Sequence, residues 1–419
     1  MPLDSSGFLP EKARVAVIHD WLYTFGGAER VLEQILAVFP NADVFSLFDV
    51  LPEDQRGFLG GRKVKTSFIQ KLVKPNSNHR MLLPLMPIAI EQFDLSDYDL
   101  VISSSYAVAK GVITGPRQFH VSYVHSPMRY AWDLQHEYLR NSKLTKGVKA
   151  WMAKLLLHKM RLWDMRTSNS VDAYISNSNF VSQRIWKLYR RPAKVISPPV
   201  NLDRFRLGDR KGDRKGDFYF TASRLVQYKR IDIIAEAFSK MPDRRLIIAG
   251  EGPEMNKIKA LAGPNVEIVG HVDASRMTEL MQQAKAFVFA AEEDFGIVPL
   301  EAQACGTPVI AYGRGGALET VRGLVNSANP TGMFFNRQTS DSIVEAVDLF
   351  EQMAHRITPQ ACRANALRFS EERFRNDLLT FVTEEYDRYF QHHDGPRPEA
   401  LPEIEWLEKR MASQPSHAA

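Results

Sequence analysis

The segment 286–311, AFVFAAEEDFGIVPLEAQACGTPVIA, decides the fold class of this chain. It starts with the apolar run Ala286–Ala290 and ends with a second apolar run, Pro308–Ala311. Between them lie an acidic loop, a glycine and a helical pattern. Continuous rather than alternating apolar character is typical of strands buried on both faces, as in parallel sheets covered by helices. The segment therefore predicts one strand–helix–strand unit of a parallel α/β sheet.

Comparable apolar runs precede helical patterns along most of the chain. In the first half they are Arg14–His19, Asp43–Leu47, Asp99–Ser103, His120–Val124 and Ala173–Ser176. In the second half they are Phe218–Ala222, Arg245–Ala249 and Val266–Val269, followed by the two runs just described. Two such series in 419 residues predict two doubly wound, Rossmann-like α/β domains. Pro198 and Pro199 favour an extended linker, which places the N-terminal domain at 1–197 and the C-terminal domain at 198–370.

Composition narrows the class of protein. The chain is 44% hydrophobic and 25% charged, as in ordinary globular proteins, and its net charge of +5 does not indicate a nucleic-acid partner. Two cysteines, Cys305 and Cys362, cannot form a disulfide framework, which suits a reducing compartment. The sequence shows neither a secretory signal nor an apolar run that spans a bilayer, so we expect a cytoplasmic location.

The acidic loop and the helix after it carry the most specific pattern. Gly296 allows the backbone to approach a ligand closely, and the following helix directs its free N–H groups toward a phosphate. Glu293 and Glu301 are eight residues apart, and we expect their carboxylates on the same side, where they accept hydrogen bonds from vicinal hydroxyls of a sugar and a ribose. The alternative is a solvated acidic loop followed by an ordinary helix glutamate.

Two cations follow the first predicted strand of the C-terminal domain. Arg224 offers a bidentate fork and Lys229 a point charge, and fixed cations of this kind stabilise a leaving diphosphate without a metal. The alternative is a pair of surface cations.

The N-terminal domain supplies two weaker signals. Gly26-Gly27 opens a helix, and its backbone N–H groups are expected to approach a phosphate or an acceptor. His125 ends a predicted strand and so is expected to point into the cleft between the two domains, where it bonds the donor sugar or the acceptor hydroxyl. The alternative is a structural histidine.

These motifs together resemble one family. The pattern E-x-F-G-x4-E over 293–301, followed by A-x-x-C-G-T-P-V-I, is similar to the signature of family 4 retaining glycosyltransferases, which have the two-domain GT-B fold. Arg224-Leu225 with Lys229 resembles the family's R-L-x3-K pair, and G-G-A-E over 26–29 its N-terminal glycine loop.

The resemblance implies a metal-independent, α-retaining hexosyltransferase with no cofactor and a nucleotide-sugar donor between its domains. In it Glu293 orients the donor sugar, Glu301 holds the ribose, and the departing phosphate helps to take the acceptor proton on the front face. The expected catalytic residues are Arg224, Lys229, Glu293 and His125. The expected donor-binding residues are Gly26, Gly27, Arg224, Lys229, Glu293, Phe295, Gly296, Ile297, Val298 and Glu301. A C-terminal helix at 371–391 is expected to return to the N-terminal domain, ahead of a flexible tail at 392–419.

The segment His125–Trp132, HSPMRYAW, resembles a subgroup of the family. That subgroup contains GDP-mannose-dependent mannosyltransferases that act on lipid-linked saccharides, so the resemblance implies GDP-mannose as donor and a lipid-linked saccharide as acceptor. Three alternatives stay open: a UDP-sugar-dependent transferase of the same fold, a related enzyme that hydrolyses or epimerises the nucleotide sugar, and a non-catalytic sugar-nucleotide-binding protein.

Two further segments bear on metals and membranes. Asp97-Tyr98-Asp99 has the Asp-x-Asp form of a metal site but precedes its strand, on the wrong side of the sheet, so we interpret it as structural and expect no metal. The basic segment 143–166 has apolar residues at helical spacing. It either lies on the cytoplasmic face of an anionic membrane, as a peripheral contact, or packs within its domain.

Overall fold

The computed structural model describes residues 13–73, 79–208, 216–325 and 327–393. These residues form two parallel β-sheets with helices on their faces, which confirms the two-domain α/β fold class. Of the tail expected at 392–419, everything from 394 onward lies outside the described residues.

The N-terminal domain is built on a seven-stranded sheet in the order β3-β2-β1-β4-β5-β6-β7, in which every pair is parallel. Its central strands are buried over their whole length, as their apolar runs require. The strands are β1 (Val15–His19), β2 (Asp43–Ser46), β3 (Val64–Thr66), β4 (Leu100–Ser105), β5 (Phe119–Val124), β6 (Ala173–Ser176) and β7 (Lys194–Val195). The helices are α1 (Gly27–Val38), α2 (Met86–Glu91), α3 (Gln135–Asn141), α4 (Gly147–Thr167) and α5 (Asn179–Tyr189).

The C-terminal domain has a six-stranded parallel sheet in the order β10-β9-β8-β11-β12-β13. Its strands are β8 (Phe218–Ala222), β9 (Arg245–Ala249), β10 (Val266–Gly270), β11 (Phe287–Phe289), β12 (Val309–Tyr312) and β13 (Gly332–Phe335). Its helices are α6 (Ile231–Ser239), α7 (Met255–Leu261), α8 (Ala274–Gln283), α9 (Ile297–Ala304), α10 (Ala317–Thr320), α11 (Ser340–Met353) and α12 (Pro359–Ala366).

Every apolar run in the sequence lies on a strand, within one or two residues at either end. Three strands were not predicted from the sequence, namely β3, β7 and β13. Each of them lies at an edge of its sheet. β3 and β7 have two or three residues, none of them buried, so they need no apolar run, whereas β13 is a mostly buried apolar run, GMFF, that the prediction missed.

The last helix, α13 (Glu371–His393), packs on the N-terminal domain although it follows the C-terminal one. Its apolar residues Phe374, Leu378, Val382 and Tyr386 belong to the same buried cluster as Val17 of β1. Arg375 donates to Oε1 of Gln34 on α1 at 2.6 Å. The chain therefore crosses between the domains twice, which ties the two sheets together.

A buried histidine lies in the core of the N-terminal sheet. His120 on β5 is fully buried, and its Nε2 is 2.9 Å from Oγ of Ser103 on β4. Burial lowers the pKa of His120 from 6.5 to about 4, although a hydrogen bond to the carbonyl of Ser170 opposes the change. The ring is therefore neutral in the folded protein at neutral pH.

This histidine makes stability depend on pH. Between pH 6.5 and about 4 the unfolded chain takes up a proton at His120 that the folded chain does not, so this contribution to stability is present above 6.5 and is lost as the pH falls. We expect the free energy of unfolding of His120→Asn, measured with urea, to fall less steeply over this range than that of the parent. The largest difference in slope is about 1.4 kcal/mol per pH unit.

The matched control is His158→Asn, which alters an exposed histidine on α4. It should retain the pH dependence of the parent protein. Equal slopes for His120→Asn and the parent would show that His120 takes up its proton over the same pH range in the folded and unfolded states.

Candidate functional site

Each sheet reverses its strand order once, between β1 and β4 in the N-terminal domain and between β8 and β11 in the C-terminal domain. Ligands of open α/β sheets bind at the carboxyl ends of strands beside such a reversal. β1 ends at His19, while β8 and β11 end shortly before Arg224 and Glu293 respectively. The sequence-derived candidates therefore lie at the edges of the two sheets where this fold class binds ligands.

Two helices begin at the cleft, one in each domain. α1 begins at Gly27 and α9 at Ile297, and a Cβ atom on Gly27 would lie 3.2 Å from Cδ1 of Ile297. The N-terminal ends of the two helices thus meet across the cleft. Neither Gly26 nor Gly296, which precede them, supplies a side-chain cap. The partial positive charge of two helix ends converges at this point and favours an anion.

The acidic loop (residues 291–296) connects β11 to α9. Gly296 has a φ of 88°, in the left-handed region that glycine adopts without strain. The N–H of Gly316 donates to the carbonyl of Glu293 at 2.8 Å, and a Cβ atom on Gly316 would lie 2.3 Å from Cα of Phe295. The glycine turn at 315–316 therefore fixes the backbone of the acidic loop at a distance that no larger residue permits.

Glu293 and Lys229 form an ion pair at the cleft, and both side chains are mostly buried. Burial lowers the pKa of Lys229, but the charge of Glu293, the interaction with Tyr228 and the hydrogen bond to Glu293 together outweigh it, so the pKa is raised above its ordinary value. Lys229 is therefore a fixed positive charge. Glu293 lies in the loop just before α9 and Glu301 on α9 itself.

Arg224 is exposed at the carboxyl end of β8, and its guanidinium has no hydrogen bond or ion pair with the residues that the structure describes. Its backbone, in contrast, is held firmly. Leu225 N–H donates to the carbonyl of Glu251 at 2.8 Å, and a Cβ atom on Gly250 would lie 1.9 Å from the carbonyl oxygen of Ser223. The backbone of Arg224 is thus fixed, and its exposed guanidinium is available to a ligand.

Glu301 on α9 is buried and forms an ion pair with Arg30 on α1. The pair joins the two domains beside the meeting point of the helix ends. Sequence reasoning identified Glu301 but not Arg30, although Arg30 directly follows the glycine loop G-G-A-E.

Asp294, which stands at the x of the motif E-x-F-G, makes further contacts across the cleft. Its Oδ1 is 2.6 Å from Nη1 of Arg184 on α5 and 3.4 Å from Nη1 of Arg129, and its carbonyl accepts from Oγ of Ser178 at 2.6 Å. Burial raises the pKa of Asp294, against the lowering effect of both arginines. Arg129 belongs to the segment HSPMRYAW, so this segment contacts the acidic loop directly.

A second carboxylate of the C-terminal domain binds the N-terminus of α5. Glu319 on α10 accepts from the N–H groups of Asn179 and Phe180 at 2.9 and 3.0 Å. A carboxylate at this position satisfies free N–H groups and interacts favourably with the helix dipole. Nothing in the local sequence marks Glu319 or Asp294 as interdomain contacts, because their partners are more than a hundred residues away.

His125 follows β5 and is partly exposed. Its Nε2 is 2.8 Å from Oγ of Ser104, and its carbonyl accepts from Nδ2 of Asn177 at 2.8 Å. Burial of the ring lowers the pKa of His125 to about 3, and interaction with His19 acts in the same direction. His125 is therefore neutral at neutral pH and available for hydrogen bonding.

The glycine loop differs from its expected role in one respect. The N–H of Gly26 donates to Oε2 of Glu29 at 2.9 Å, so it is occupied within its own helix turn. Gly27, which contacts α9 across the cleft, is the residue of the pair that approaches the other domain.

Both domains of this chain are similar to families of known proteins. Residues 25–204 match the model of Glycosyltransferase Family 4, and residues 208–369 match that of Glycosyl transferases group 1. Among solved structures, Anabaena Alr3699/HepE in complex with UDP and glucose superimposes with a TM-score of 0.64 at 18% identity, over 88% of this chain and 99% of that one. Sucrose-phosphate synthase from Thermosynechococcus elongatus superimposes with a TM-score of 0.66 at 16% identity, over 90% of this chain and 100% of that one. The chain has the GT-B fold.

Curated relatives of this GT-B chain include D-inositol 3-phosphate glycosyltransferases. The enzyme of Mycobacterium leprae (strain Br4923) is 33% identical over 184 residues, which is 38% of this chain and 42% of that protein. The enzyme of Mycobacterium tuberculosis (strain F11) is 31% identical over 241 residues, 52% of this chain and 49% of that protein. The chain thus matches less than half of the length of either relative.

Asp97 and Asp99 lie at the amino end of β4, away from the cleft of the GT-B fold. Asp97 pairs with Arg14 at 3.2 Å, and Oδ2 of Asp99 accepts from the backbone N–H of Arg14 at 2.8 Å. Both carboxylates therefore hold the start of β1 against β4. Among the described residues, no group of three or more His, Cys, Asp or Glu side chains is placed to hold a metal ion.

Proposed function

We propose that this protein transfers a sugar from a nucleotide-sugar donor to an acceptor hydroxyl, with the donor diphosphate in the interdomain cleft. The observation that carries the proposal is the meeting of two helix N-termini beside Arg224 and Lys229. A leaving nucleoside diphosphate gains negative charge in the transition state, and positive charges already fixed in place stabilise it without reorganisation. The matches of both domains to glycosyltransferase family models support the same reaction class.

The proposed roles follow from the charges at the site. Arg224, which has no protein partner among the described residues, binds the diphosphate through its guanidinium fork. Lys229 supplies a second positive charge and holds Glu293, whose carboxylate accepts hydrogen bonds from hydroxyls of the donor sugar. Ile297 and Val298 contribute the N–H groups of the first turn of α9, and Glu301 receives the ribose.

The proposed path retains the anomeric configuration. The acceptor hydroxyl approaches the anomeric carbon on the face from which the diphosphate leaves, the bond to the acceptor oxygen forms as the bond to the phosphate oxygen breaks, and the phosphate oxygen takes the hydroxyl proton. The three contacts between the domains, at Glu301, Asp294 and Glu319, keep the cleft closed and limit the access of water. The fixed cations of the protein take the part of a metal ion in this path.

GDP-mannose is the donor that we propose, from the resemblance of His125–Trp132 to mannosyltransferases. The contact of Arg129 with Asp294 supports it, because it places this segment against the acidic loop that holds the sugar. A UDP-sugar is the second candidate, since the similar Anabaena structure was solved with UDP and glucose.

A lipid-linked saccharide is the acceptor that we propose, and α4 provides the observation. Its apolar residues form two opposite stripes. The residues of one stripe, including Ala150, Leu157 and Met160, pack in the domain. Those of the other are exposed: Val148, Trp151, Met152, Leu155 and Leu162. The helix therefore packs in its domain and also leaves an apolar stripe exposed, and this stripe supports our proposal of a membrane contact.

Lysines accompany the exposed stripe. Lys149 and Lys154 lie on its two flanks and Lys159 within it, and all three are exposed. Apolar side chains flanked by lysines suit the headgroup region of an anionic bilayer. We therefore propose that the protein is cytoplasmic and contacts the inner face of the membrane through α4. No helix among the described residues is long and apolar enough to cross a membrane.

The donor is tested by calorimetry with GDP, GDP-mannose, UDP and UDP-glucose, in buffer containing a chelator. We expect the guanine pair to bind more tightly than the uracil pair, and the chelator to have no effect. Tighter binding of the uracil pair would indicate a UDP-sugar as donor and would leave the proposed diphosphate site unchanged. Failure of all four to bind would contradict the proposed diphosphate site for these bases, and loss of binding with the chelator alone would bring a metal into it.

Turnover is tested with Arg224→Ala and Glu293→Ala. We expect each to lower kcat/KM for sugar transfer by about a hundredfold or more, because each removes a contact that is strongest in the transition state. Arg224→Lys keeps the charge but loses the fork and should have intermediate activity. Arg276→Ala is the control, since Arg276 is exposed on α8. Unchanged turnover in Arg224→Ala, or hydrolysis of the donor without transfer by the parent protein, would contradict the proposal.

Membrane contact is tested by sedimentation with vesicles. We expect the parent to bind vesicles of phosphatidylglycerol and phosphatidylcholine but not of phosphatidylcholine alone, and less so at high salt. The double substitution Trp151→Ser and Met152→Ser should weaken binding severalfold. The control is the double substitution Leu349→Ser and Leu367→Ser, which removes two exposed apolar residues of the C-terminal domain. It should leave vesicle binding unchanged. Equal binding by both double variants would exclude α4 as the contact.

A further inference from the structure

A chain of hydrogen bonds leads from His125 at the cleft into the interior of the N-terminal domain. Nε2 of His125 is 2.8 Å from Oγ of Ser104, and the same oxygen is 3.1 Å from Nδ1 of His19. Nε2 of His19 is 3.4 Å from Oε1 of Glu29. His19 and Ser104 are fully buried and Glu29 nearly so. The chain thus links three strands, β1, β4 and the end of β5, to the first turn of α1.

The direction of these hydrogen bonds is set at Glu29. Its Oε2 accepts from the N–H of Gly26, and its Oε1 faces His19, so an ionised carboxylate accepts at both oxygens. A His19 ring that carries one proton then has it on Nε2, and its Nδ1 is an acceptor. Ser104 has one proton to donate, and it goes to Nδ1 of His19.

The direction of these hydrogen bonds also determines the tautomer of His125 at the cleft. Because the proton of Ser104 is used toward His19, its oxygen accepts from Nε2–H of His125. A neutral His125 with its proton on Nε2 has a lone pair on Nδ1. This Nδ1 has no hydrogen-bond partner in the described part of the chain. The neutral state agrees with the lowered pKa of His125, which is about 3.

We propose that Glu29, His19 and Ser104 are positioning residues that hold His125 in its Nε2–H tautomer, so that Nδ1 accepts a hydrogen bond from a hydroxyl in the cleft. The identity of that hydroxyl, on the donor sugar or on the acceptor, rests on the proposed function. The tautomer itself does not, because the protein alone determines it.

Glu29→Gln reverses the arrangement. The glutamine keeps its carbonyl oxygen on the N–H of Gly26, and its amide then donates to Nε2 of His19. The proton of His19 moves to Nδ1, Ser104 accepts it and donates to Nε2 of His125, and the proton of His125 moves to Nδ1. His125 then presents a donor where the parent presents an acceptor.

The test is the tautomeric state of the rings in the unliganded protein, from long-range ¹H–¹⁵N correlation spectra of ¹⁵N-histidine-labelled protein. The chain has 11 histidines, and the spectra of His19→Gln and His125→Gln identify the two signals. We expect Nε2–H for both rings in the parent and Nδ1–H for both in Glu29→Gln. Glu33→Gln, on the same helix, should leave both unchanged. An Nδ1–H tautomer of His125 in the parent, or no change in Glu29→Gln, would overturn the proposal.

Ser104→Ala provides a second measurement. It removes the hydroxyl that hydrogen-bonds to both rings, so adding Glu29→Gln in this background should change His19 and leave His125 as it is. An equal response of His125 with and without Ser104 would show that the effect does not pass through the chain of hydrogen bonds.

Kinetics separate the tautomer from the proposed function. If the protein transfers sugar, Glu29→Gln should lower kcat/KM about tenfold, as expected for one hydrogen bond in the transition state, while Glu33→Gln should not. If the tautomers are as expected but the protein has no transferase activity, the role of the hydrogen-bond chain stands and only the proposed function is refuted. A tautomer change in Glu29→Gln with unchanged kcat/KM would refute the role of Nδ1 toward the substrate.

Discussion

The reversal of strand order in each sheet is the constraint on which the rest of the structure depends. Strands on either side of the reversal send their connections to opposite faces, so a crevice opens between β1 and β4 in one domain and between β8 and β11 in the other. The chain places glycine-started helices at both crevices, α1 and α9, and their N-termini meet. The strand order of the two sheets thus produces a cleft with a positive helix end on each side, independently of the side chains that line it.

The contacts across this cleft share a pattern of charge. The C-terminal domain contributes carboxylates, at Asp294, Glu301 and Glu319, and the N-terminal domain contributes cations or a helix N-terminus. A buried charge is costly without a partner, and removing one partner costs more than the pair contributes. In the relative position of the domains that the structure shows, each of these carboxylates meets its partner. Two of the three carboxylates belong to the segment 293–301, so the elements that close the cleft are also those that line it.

Much of this could be predicted from the sequence, and the parts that could not share a cause. The unit 286–311 is predicted correctly because strand, loop, glycine and helix are contiguous there, and Lys229 meets Glu293 because both follow neighbouring strands. Whether these residues bind a donor stays a prediction. Asp294, Glu319 and Arg30 were missed because their partners lie in the other domain, and no local pattern records a contact between distant segments. Gly250 was missed because its need for glycine comes from the backbone of Ser223, on another strand.

The pairing of both site glutamates has a consequence for ligand binding. Glu293 is held by Lys229 of its own domain, so a sugar hydroxyl can bond to its remaining lone pairs without moving either domain. Glu301 is held by Arg30 of the opposite domain, so a ribose that bonds to it shares the carboxylate with a contact that closes the cleft. Donor binding under the proposed function therefore weakens one interdomain contact while those at Asp294 and Glu319 persist.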